Sequence, residues 1–332
     1  MLGLTHSLGE AASRLAGLRV VNDRLRTDIA GIEFENPLMV GAGEDKQGRA
    51  VDGFHMLGFG GIEVGTVTLL AQPGNSRPRL FTHRGGVALN RMGFNSPGAE
   101  AVAWNLEAQR RPGVVGINAG KNKNTSAENT AEEHAAVIRK LWKYGDYFVV
   151  NLSTPNTEGA RDILRSSWLP EILVESKEAA NGKPLFIKTT VDLELDDLQV
   201  VLETSIDKGV NGIIDTNTTI DEATKARYGW QGQAGGVSGN DEGYRRRATE
   251  RMRHITRETR DPKNPFHRIG VGAINSSAAA IERLEAGAEV IQVVTANRQH
   301  WGLAAPIILY GILRELDRRT LSSVRELVGS QA

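Results

Sequence analysis

Short apolar runs rich in β-branched residues recur along the chain and alternate with amphipathic stretches. Eight of these runs have the length and composition of buried strands. They occupy residues 37–43, 61–68, 114–120, 147–153, 184–190, 209–217, 268–274 and 289–296. Between them, segments such as 129–143, 193–208 and 276–287 place apolar residues at helical spacing. This alternation indicates a series of parallel βα units.

Eight strand-like runs match the number that closes a (β/α)8 barrel. The alternative is an open, doubly wound sheet, which carries a GxGxxG fingerprint after its first strand. Here the first run leads into GAGEDK, which lacks the third glycine. We therefore predict an α/β protein with a (β/α)8 TIM barrel at residues 27–320. A short helical extension at 1–26 precedes it, a tail at 321–332 follows, and the glycine-rich insertion after the second strand forms a β-excursion over the barrel mouth.

Composition narrows the classes of function. Lys plus Arg and Asp plus Glu each total 40, so the formal net charge is +0 at pH 7 and gives no electrostatic drive toward nucleic acid. Cysteine is absent, which excludes disulfides, Cys-ligated zinc, iron–sulfur ligation and a thiol nucleophile. No metal site is predicted. The 37 glycines among 332 residues indicate tight turns or a backbone that closely approaches a ligand.

The first 26 residues place leucines at helical spacing with arginines between them. One interpretation is an amphipathic helix packed on the barrel, and the pattern favours it. The other is an interfacial helix that contacts a membrane surface. A secretory signal is not expected, because the segment has no continuous apolar core.

Polar residues follow several of the predicted strands, where barrel strands converge on one mouth. They are Lys46, Thr66, Asn118, Asn151, Lys188 and Asn217. Each one alone fits a turn or a helix cap, but six at the same strand end indicate a site. The loop at 151–161 adds two amides around a hydroxyl pair. Because amides both donate and accept, such a loop can bind a planar cyclic amide such as a pyrimidine.

A set of short motifs occurs in a characteristic order. They are Asp45-Lys46, GTVT (65–68), QPGN-x-x-PRLF (72–81), NRMGFN (90–95), GINAGKNK (116–123), N-x-S-x-PNT-x-G-x-R (151–161), TNTT (216–219) and GG-x-SG (235–239). In this order they resemble the class 2, quinone-linked dihydroorotate dehydrogenases over roughly residues 28–317. The resemblance implies an FMN enzyme that oxidises dihydroorotate to orotate in pyrimidine biosynthesis and passes electrons to a quinone. It also implies a position on the cytoplasmic side, peripheral to the membrane.

The resemblance implies roles for individual residues. The pyrimidine would be held by Lys46, Asn90, Met92, Gly93, Phe94, Asn151, Asn156, Asn217 and Thr218. The flavin ring would contact Ala42, Gly43, Thr66, Asn118, Asn151, Lys188 and Thr216. Its phosphate and ribityl chain would be surrounded by Ser238, Gly239, Gly272, Ala273, Val294 and Thr295. Lys188 would offset negative charge on the reduced flavin. The ordinary alternative, a salt bridge inside the barrel, is disfavoured by the neighbouring motifs.

Three features depart from the family pattern. The proton-abstracting position is Thr154, where class 2 members have serine. Ala273 replaces a glycine at the phosphate end, and Val294 replaces an aromatic residue. The N-terminal extension is also too short for two full helices. Two other functions therefore stay open, namely an FMN barrel acting on another dihydro-heterocycle and an inactive binding or regulatory relative.

Overall fold

The computed structural model describes residues 19–154, 156, 162–300 and 302–332. The predicted N-terminal helix falls mostly on residues 1–18, which lie outside the described residues. Within 19–26, a single 3-10 turn spans Asp23–Leu25. Arg24 anchors this segment by bonding to Asp317 at 2.6 Å and to the carbonyl of Leu321 at 2.8 Å.

Eight parallel strands form a closed barrel, as predicted. Neighbours around the ring run β3, β4, β7, β8, β9, β10, β12, β13 and back to β3. The strands in chain order are β1 (Thr27–Ile29), β2 (Ile32–Phe34), β3 (Leu38–Val40), β4 (Gly61–Val67), β5 (Leu80–His83), β6 (Val87–Asn90), β7 (Val114–Ala119), β8 (Tyr147–Asn151), β9 (Leu185–Thr190), β10 (Gly212–Asn217), β11 (Gly236–Gly239), β12 (His267–Val271) and β13 (Val290–Val293). Each of the eight predicted runs overlaps one barrel strand.

Helices cover the outside of the barrel. They are α1 (Val51–Met56), α2 (Ala99–Glu107), α3 (Thr130–Leu141), α4 (Leu169–Ala180), α5 (Leu195–Asp207), α6 (Glu222–Arg227), α7 (Glu242–Glu258), α8 (Ser277–Glu285), α9 (Thr295–Gln299) and α10 (Ala304–Arg319). The three helical segments predicted from spacing contain α3, α5 and α8. Within the described ranges, no helix combines the length and apolarity needed to cross a membrane.

Burial on both faces explains why the strands are continuous apolar runs instead of alternating ones. Every residue of β4, β7, β8 and β9 is buried. The outer faces pack against the helices in one large cluster. The inner faces form a second cluster, in which Met39, Tyr147 and Phe186 fill the barrel and the β1–β2 hairpin contributes Ile29 and Phe34.

The β-excursion over the mouth is a three-stranded antiparallel sheet in the order β11-β6-β5. Strands β5 and β6 lie in the predicted insertion, but β11 comes from the segment between β10 and β12. It pairs Gly236 with Asn90 and Gly239 with Val87. Gly239 has φ +96°, and a Cβ there would lie 2.3 Å from the carbonyl oxygen of Gly86. Glycine is therefore required at this point because two backbones meet closely.

The segment predicted as a tail packs against the barrel helices. A 3-10 turn at Val324–Leu327 opens with a capping box formed by Ser323 and Glu326, and Val324 and Leu327 are completely buried. The amide of Gly329 donates to the carbonyl of Leu284 at 3.0 Å. The exact domain boundaries at residues 26 and 320 stay a prediction.

Candidate active site

A cavity of about 340 Å³ opens at the carboxyl ends of the barrel strands, beneath the antiparallel sheet. Apart from Asn118, all of the predicted site residues line it. The barrel side contributes Ala42, Gly43, Lys46, Thr66, Asn151, Thr154, Asn156, Lys188, Thr216, Asn217 and Thr218. The sheet and the last strands contribute Asn90, Met92, Gly93, Phe94, Ser238, Gly239, Gly272, Ala273, Val294 and Thr295.

The floor of the cavity is held by a carboxylate that the sequence did not single out. Glu63 lies on β4 inside the barrel and is completely buried. One of its oxygens accepts from the Nδ2 of Asn118 at 2.7 Å, and the other accepts from the Nε2 of Gln292 at 2.6 Å. The hydroxyl of Tyr147 donates to it at 3.3 Å, and burial, together with this carboxylate, raises the pKa of that phenol. An interpretation based on the spacing of hydrophobic residues misses Glu63, because this glutamate is a single polar residue within an otherwise apolar run.

Lys188 forms an ion pair with Glu63, with its Nζ 3.0 Å from the carboxylate. The expectation that disfavoured a salt bridge inside the barrel was therefore wrong. A buried ammonium is stable only when it is paired, and Glu63 supplies the partner. Lys188 still lines the cavity, so the ion pair places it at the floor instead of removing it from the site.

The amide of Asn151 is fixed by two neighbours on the adjacent strands. Its Nδ2 donates to the hydroxyl of Thr66 at 3.0 Å and to the Oδ1 of Asn118 at 2.9 Å. The Thr66 hydroxyl in turn donates to Asn118 at 2.6 Å. Asn118 does not line the cavity and connects this group to Glu63 from behind. Thr66 and Asn151 therefore face the cavity in a single arrangement.

A second group of polar side chains lies above the floor. The Oδ1 of Asn151 accepts from the hydroxyl of Ser153 at 3.0 Å, and Asn217 donates to the same hydroxyl at 3.0 Å. The hydroxyl of Thr154 accepts from the backbone amide of Asn156 at 3.2 Å. The side chain of Asn156 donates to the Oδ1 of Asn90 at 3.3 Å. Three separate chain segments thus bring amide groups to one wall.

Lys46 supplies a cation at this wall. Its Nζ donates to the Oδ1 of Asn95 at 2.8 Å, which is a neutral partner. Burial, with smaller contributions from Arg79 and Arg298, lowers the pKa of Lys46 from 10.5 to about 8. The preceding Asp45 holds the loop, because its carboxylate accepts from the backbone amides of residues 47–50. The arrangement leaves a cation suited to an anionic ligand.

The opposite end of the cavity is formed by turns of the backbone. Gly272 has φ +97° and Ala273 has φ +53°, so two successive residues adopt left-handed conformations. Alanine at this position costs about 1–2 kcal/mol that glycine does not. Beside the turn, the hydroxyls of Ser238 and Thr295 lie 3.0 Å apart.

Part of the cavity wall was not predicted from the sequence. Residues from β5, β6, the turn between them and α9 contribute to it, namely Leu80, Thr82, His83, Gly86, Val87, Ala88, Arg298 and Gln299. Arg298 pairs with Glu44 at 2.8 Å. The position of β5 and β6 over the mouth was predictable, but which of their side chains point inward was not, since the pairing with β11 fixes the register.

This architecture defines a class of protein, an α/β-barrel enzyme with a cavity lined by polar side chains at the carboxyl ends of its strands. A sequence model of the dihydroorotate dehydrogenase family matches residues 24–319. The chain belongs to the dihydroorotate dehydrogenase family, whose members depend on a flavin.

Individual relatives agree with this assignment. A dihydroorotate dehydrogenase (quinone) of Synechococcus sp. (strain JA-2-3B'a(2-13)) is 41% identical over 313 residues, which cover 89% of this chain and 80% of the relative. One from Thermus thermophilus is 38% identical and covers 96% of this chain and 90% of the relative. The crystal structure of an Eimeria tenella DHODH in complex with ferulenol matches with a TM-score of 0.85 at 26% identity, covering 98% of this chain and 94% of that one.

The buried ion pair at the floor leads to a prediction about stability. Glu63→Gln leaves the ammonium of Lys188 buried without a counterion, so we expect the free energy of unfolding to fall by about 3–5 kcal/mol. Urea unfolding of ligand-free protein measures the loss.

The double variant Glu63→Gln/Lys188→Met is the matched control, because it removes both charges. We expect it to regain more than half of the lost stability. The single variant Lys188→Met completes the comparison, and a double variant that loses the full sum of the two single effects would show that Glu63 and Lys188 do not act as a pair.

Proposed function

We propose that this protein oxidises dihydroorotate to orotate with FMN as its cofactor and a quinone as the electron acceptor. The observation that carries the proposal is the wall on which Asn90, Asn151, Asn156 and Asn217 meet beside the cation of Lys46. Orotate is a planar ring of amide groups that bears one carboxylate. A set of amides with one adjacent cation complements it group for group.

The donor set of the cavity fits FMN. Thr66, Asn151 and Lys188 line the floor of the cavity and would present polar groups to the flavin ring. Gln292 lines the same floor, and its buried Oε1 has no hydrogen-bond partner within the described part of the chain. Such an orphaned acceptor suits an N–H of a bound ring, since leaving it unpaired costs about 1–3 kcal/mol. When bound, FMN supplies the acceptor for hydride and electrons.

The phosphate of FMN would lie at the turn of Gly272 and Ala273, beside Ser238, Gly239 and Thr295. Backbone N–H groups at left-handed turns and nearby hydroxyls are suitable donors for an anion. Val294 contributes an aliphatic surface where the family has an aromatic one. Ala273 keeps the left-handed backbone that its glycine counterpart would adopt.

Substrate binding would use both kinds of side chain on the wall. The carboxylate would pair with Lys46, and the ring amides would bond to the four asparagines, with Thr218 and the loop of Met92, Gly93 and Phe94 closing the pocket. Because Asn151 and Asn217 both bond to Ser153, their orientations are set before the ligand binds. Preorganised amides lose little side-chain entropy on binding.

Thr154 would take the C5 proton, and the C6 hydride of dihydroorotate leaves in the same oxidation. The Thr154 hydroxyl accepts a hydrogen bond from the amide of Asn156, so a lone pair is already engaged and the oxygen is held in place. A threonine hydroxyl is a weak base, and the proton must pass onward to water or another group.

A quinone acceptor would bind in the part of the cavity that lies directly beneath strands β5 and β6 of the antiparallel sheet. Leu80 of β5 and Val87 and Ala88 of β6 contribute apolar side chains there. A quinone head group is flat and largely apolar, so this surface suits it. Contact with a membrane surface through residues 1–26, on the cytoplasmic side, is part of the proposal.

An anaerobic half-reaction tests the function directly. Purified protein should carry FMN, and mixing it with dihydroorotate in the absence of oxygen should bleach the flavin absorbance. A protein that binds FMN but is not reduced by dihydroorotate would favour another dihydro-heterocycle. A protein that binds orotate but no flavin would favour the binding or regulatory alternative.

Thr154 provides a sharper test of the chemistry. Thr154→Ala should slow flavin reduction by about 10²–10⁴-fold, because a positioned proton acceptor is lost, while orotate binding stays nearly unchanged. Thr154→Ser keeps the hydroxyl and should remain active. Anaerobic stopped-flow absorbance measures both rates. Reduction of the alanine variant at the wild-type rate would remove Thr154 from the mechanism.

The lowered pKa of Lys46 predicts how orotate binding depends on pH. Below about pH 8 Lys46 is protonated and binds the carboxylate, so the dissociation constant should be flat. Above that pH the free protein loses the charge, and the dissociation constant should rise by up to about tenfold per pH unit.

Titrations between pH 6.5 and 9 with flavin absorbance as the readout measure this dependence. Lys46→Arg is the matched control, because an arginine keeps its charge across this range and should give a flat profile. An equally steep rise in Lys46→Arg would assign the pH dependence to another group.

A further inference from the structure

Arg283 occupies an unusual position behind the turn of Gly272 and Ala273. It lies on α8 and is 1% exposed, and it is the largest of the fully buried side chains that the structure describes. Gly270 makes room for it, since a Cβ there would lie 2.6 Å from the Cγ of Arg283. The strand β12 is thus shaped to admit a guanidinium close to its carboxyl end.

The guanidinium bonds to the backbone of the turn. Its Nη1 donates to the carbonyl of Val271 at 2.9 Å, and its Nη2 donates to the carbonyl of Gly272 at 3.2 Å. The C=O and N–H of a trans peptide point in opposite directions. The N–H groups of Gly272 and Ala273, which belong to the same two peptides, are therefore directed away from Arg283. Both residues line the cavity.

Arg283 also carries a charge that no carboxylate neutralises at ion-pair distance within the described ranges. By contrast, Arg251 in the same layer pairs with Asp215 at 2.9 Å. Burial lowers the pKa of Arg283, with Tyr244, Asp215 and Glu282 opposing the shift. The group nevertheless stays protonated at neutral pH, as arginines in proteins do. A buried charge without a counterion is costly unless a ligand compensates it.

The lysines and the arginine that line the cavity are not available to a ligand at the turn of Gly272 and Ala273, because they are paired with carboxylates or lie at another wall. Lys188 pairs with Glu63, and Arg298 pairs with Glu44. Lys46 lies at the wall of amides. The phosphate end therefore presents backbone and hydroxyl groups, with Arg283 as the charge behind them. Tyr244 packs on the same turn, since a Cβ on Gly272 would lie 2.3 Å from its hydroxyl.

We propose that Arg283 is the positioning residue for recognition of a phosphate monoester at this turn. It holds two carbonyls away from the phosphate, presents the N–H groups of Gly272 and Ala273 to it, and supplies a buried positive charge behind the turn. The proposal rests on the proposed FMN binding. It specifies which residue makes the site prefer FMN over riboflavin, which has the same ring but no phosphate.

The test compares the two flavins. Titrating flavin-free, full-length protein with FMN or riboflavin and following flavin fluorescence gives both dissociation constants. Arg283→Met should raise the constant for FMN by about 10- to 100-fold and change that for riboflavin by less than about threefold. The preference for FMN over riboflavin should fall by the same factor.

Arg268→Met is the matched control. Arg268 lies on β12, the strand that leads into the turn, but at its opposite end, where it donates to the carbonyls of Phe266 at 3.0 Å and Gly287 at 2.8 Å. This variant should keep the wild-type preference for FMN. If Arg283→Met does not fold, Arg283→Lys replaces it, with a smaller loss of preference expected because one flexible ammonium cannot reproduce the planar fork.

Equal weakening of FMN and riboflavin binding in the Arg283 variants would overturn the proposal and leave Arg283 with a structural role only. Unchanged binding of both flavins would overturn it as well. Failure of the proposed FMN binding is distinguishable, because the wild-type protein itself would then bind neither flavin. Failure of the proposed oxidation of dihydroorotate leaves the comparison of the two flavins unaffected.

Discussion

The site depends on one buried carboxylate. Glu63 lies inside the barrel, where an ionised group is expensive unless all of its lone pairs are used. Its partners come from four other strands, with Asn118 on β7, Tyr147 on β8, Lys188 on β9 and Gln292 on β13. The hydrogen bonds of Glu63 therefore fix the depth inside the barrel at which polar side chains of five strands meet. A shift in the register of any one of these four strands would remove one donor from this charge.

The floor in turn fixes the wall above it. Asn118 connects Glu63 to Thr66 and Asn151, and Asn151 connects through Ser153 to Asn217. The amides that would read a pyrimidine are therefore oriented by a chain of hydrogen bonds that starts at the barrel interior. Connected networks of this kind are rigid, because a shift of Asn118, Thr66 or Asn151 would break more than one hydrogen bond. The polar groups of the cavity wall are therefore oriented from the barrel interior.

The barrel was predictable because its strands are buried on both faces and leave long apolar runs, several of which end in a polar residue. The cavity was largely predictable for the same reason, since strand ends converge. Glu63 and Gln292 were not, because a single polar residue inside an apolar run gives no periodic signal. Strand β11 was missed because its GG-x-SG segment was interpreted as a phosphate turn alone. Its pairing with β6 depends on contacts about 150 residues apart in sequence, which local patterns do not encode.

Two of the departures from the family pattern, Ala273 and Thr154, lie in a turn and in the loop that follows β8. The methyl of Ala273 is buried with Val191 and Tyr244. Burying one methyl contributes about 0.8 kcal/mol, which offsets a good part of the roughly 1–2 kcal/mol cost of a left-handed alanine. Thr154 likewise lies beyond the end of β8, where its hydroxyl is held by a backbone amide and not by the floor. Neither Ala273 nor Thr154 contacts the hydrogen-bond network of Glu63. The arrangement of the floor is therefore independent of these two substitutions.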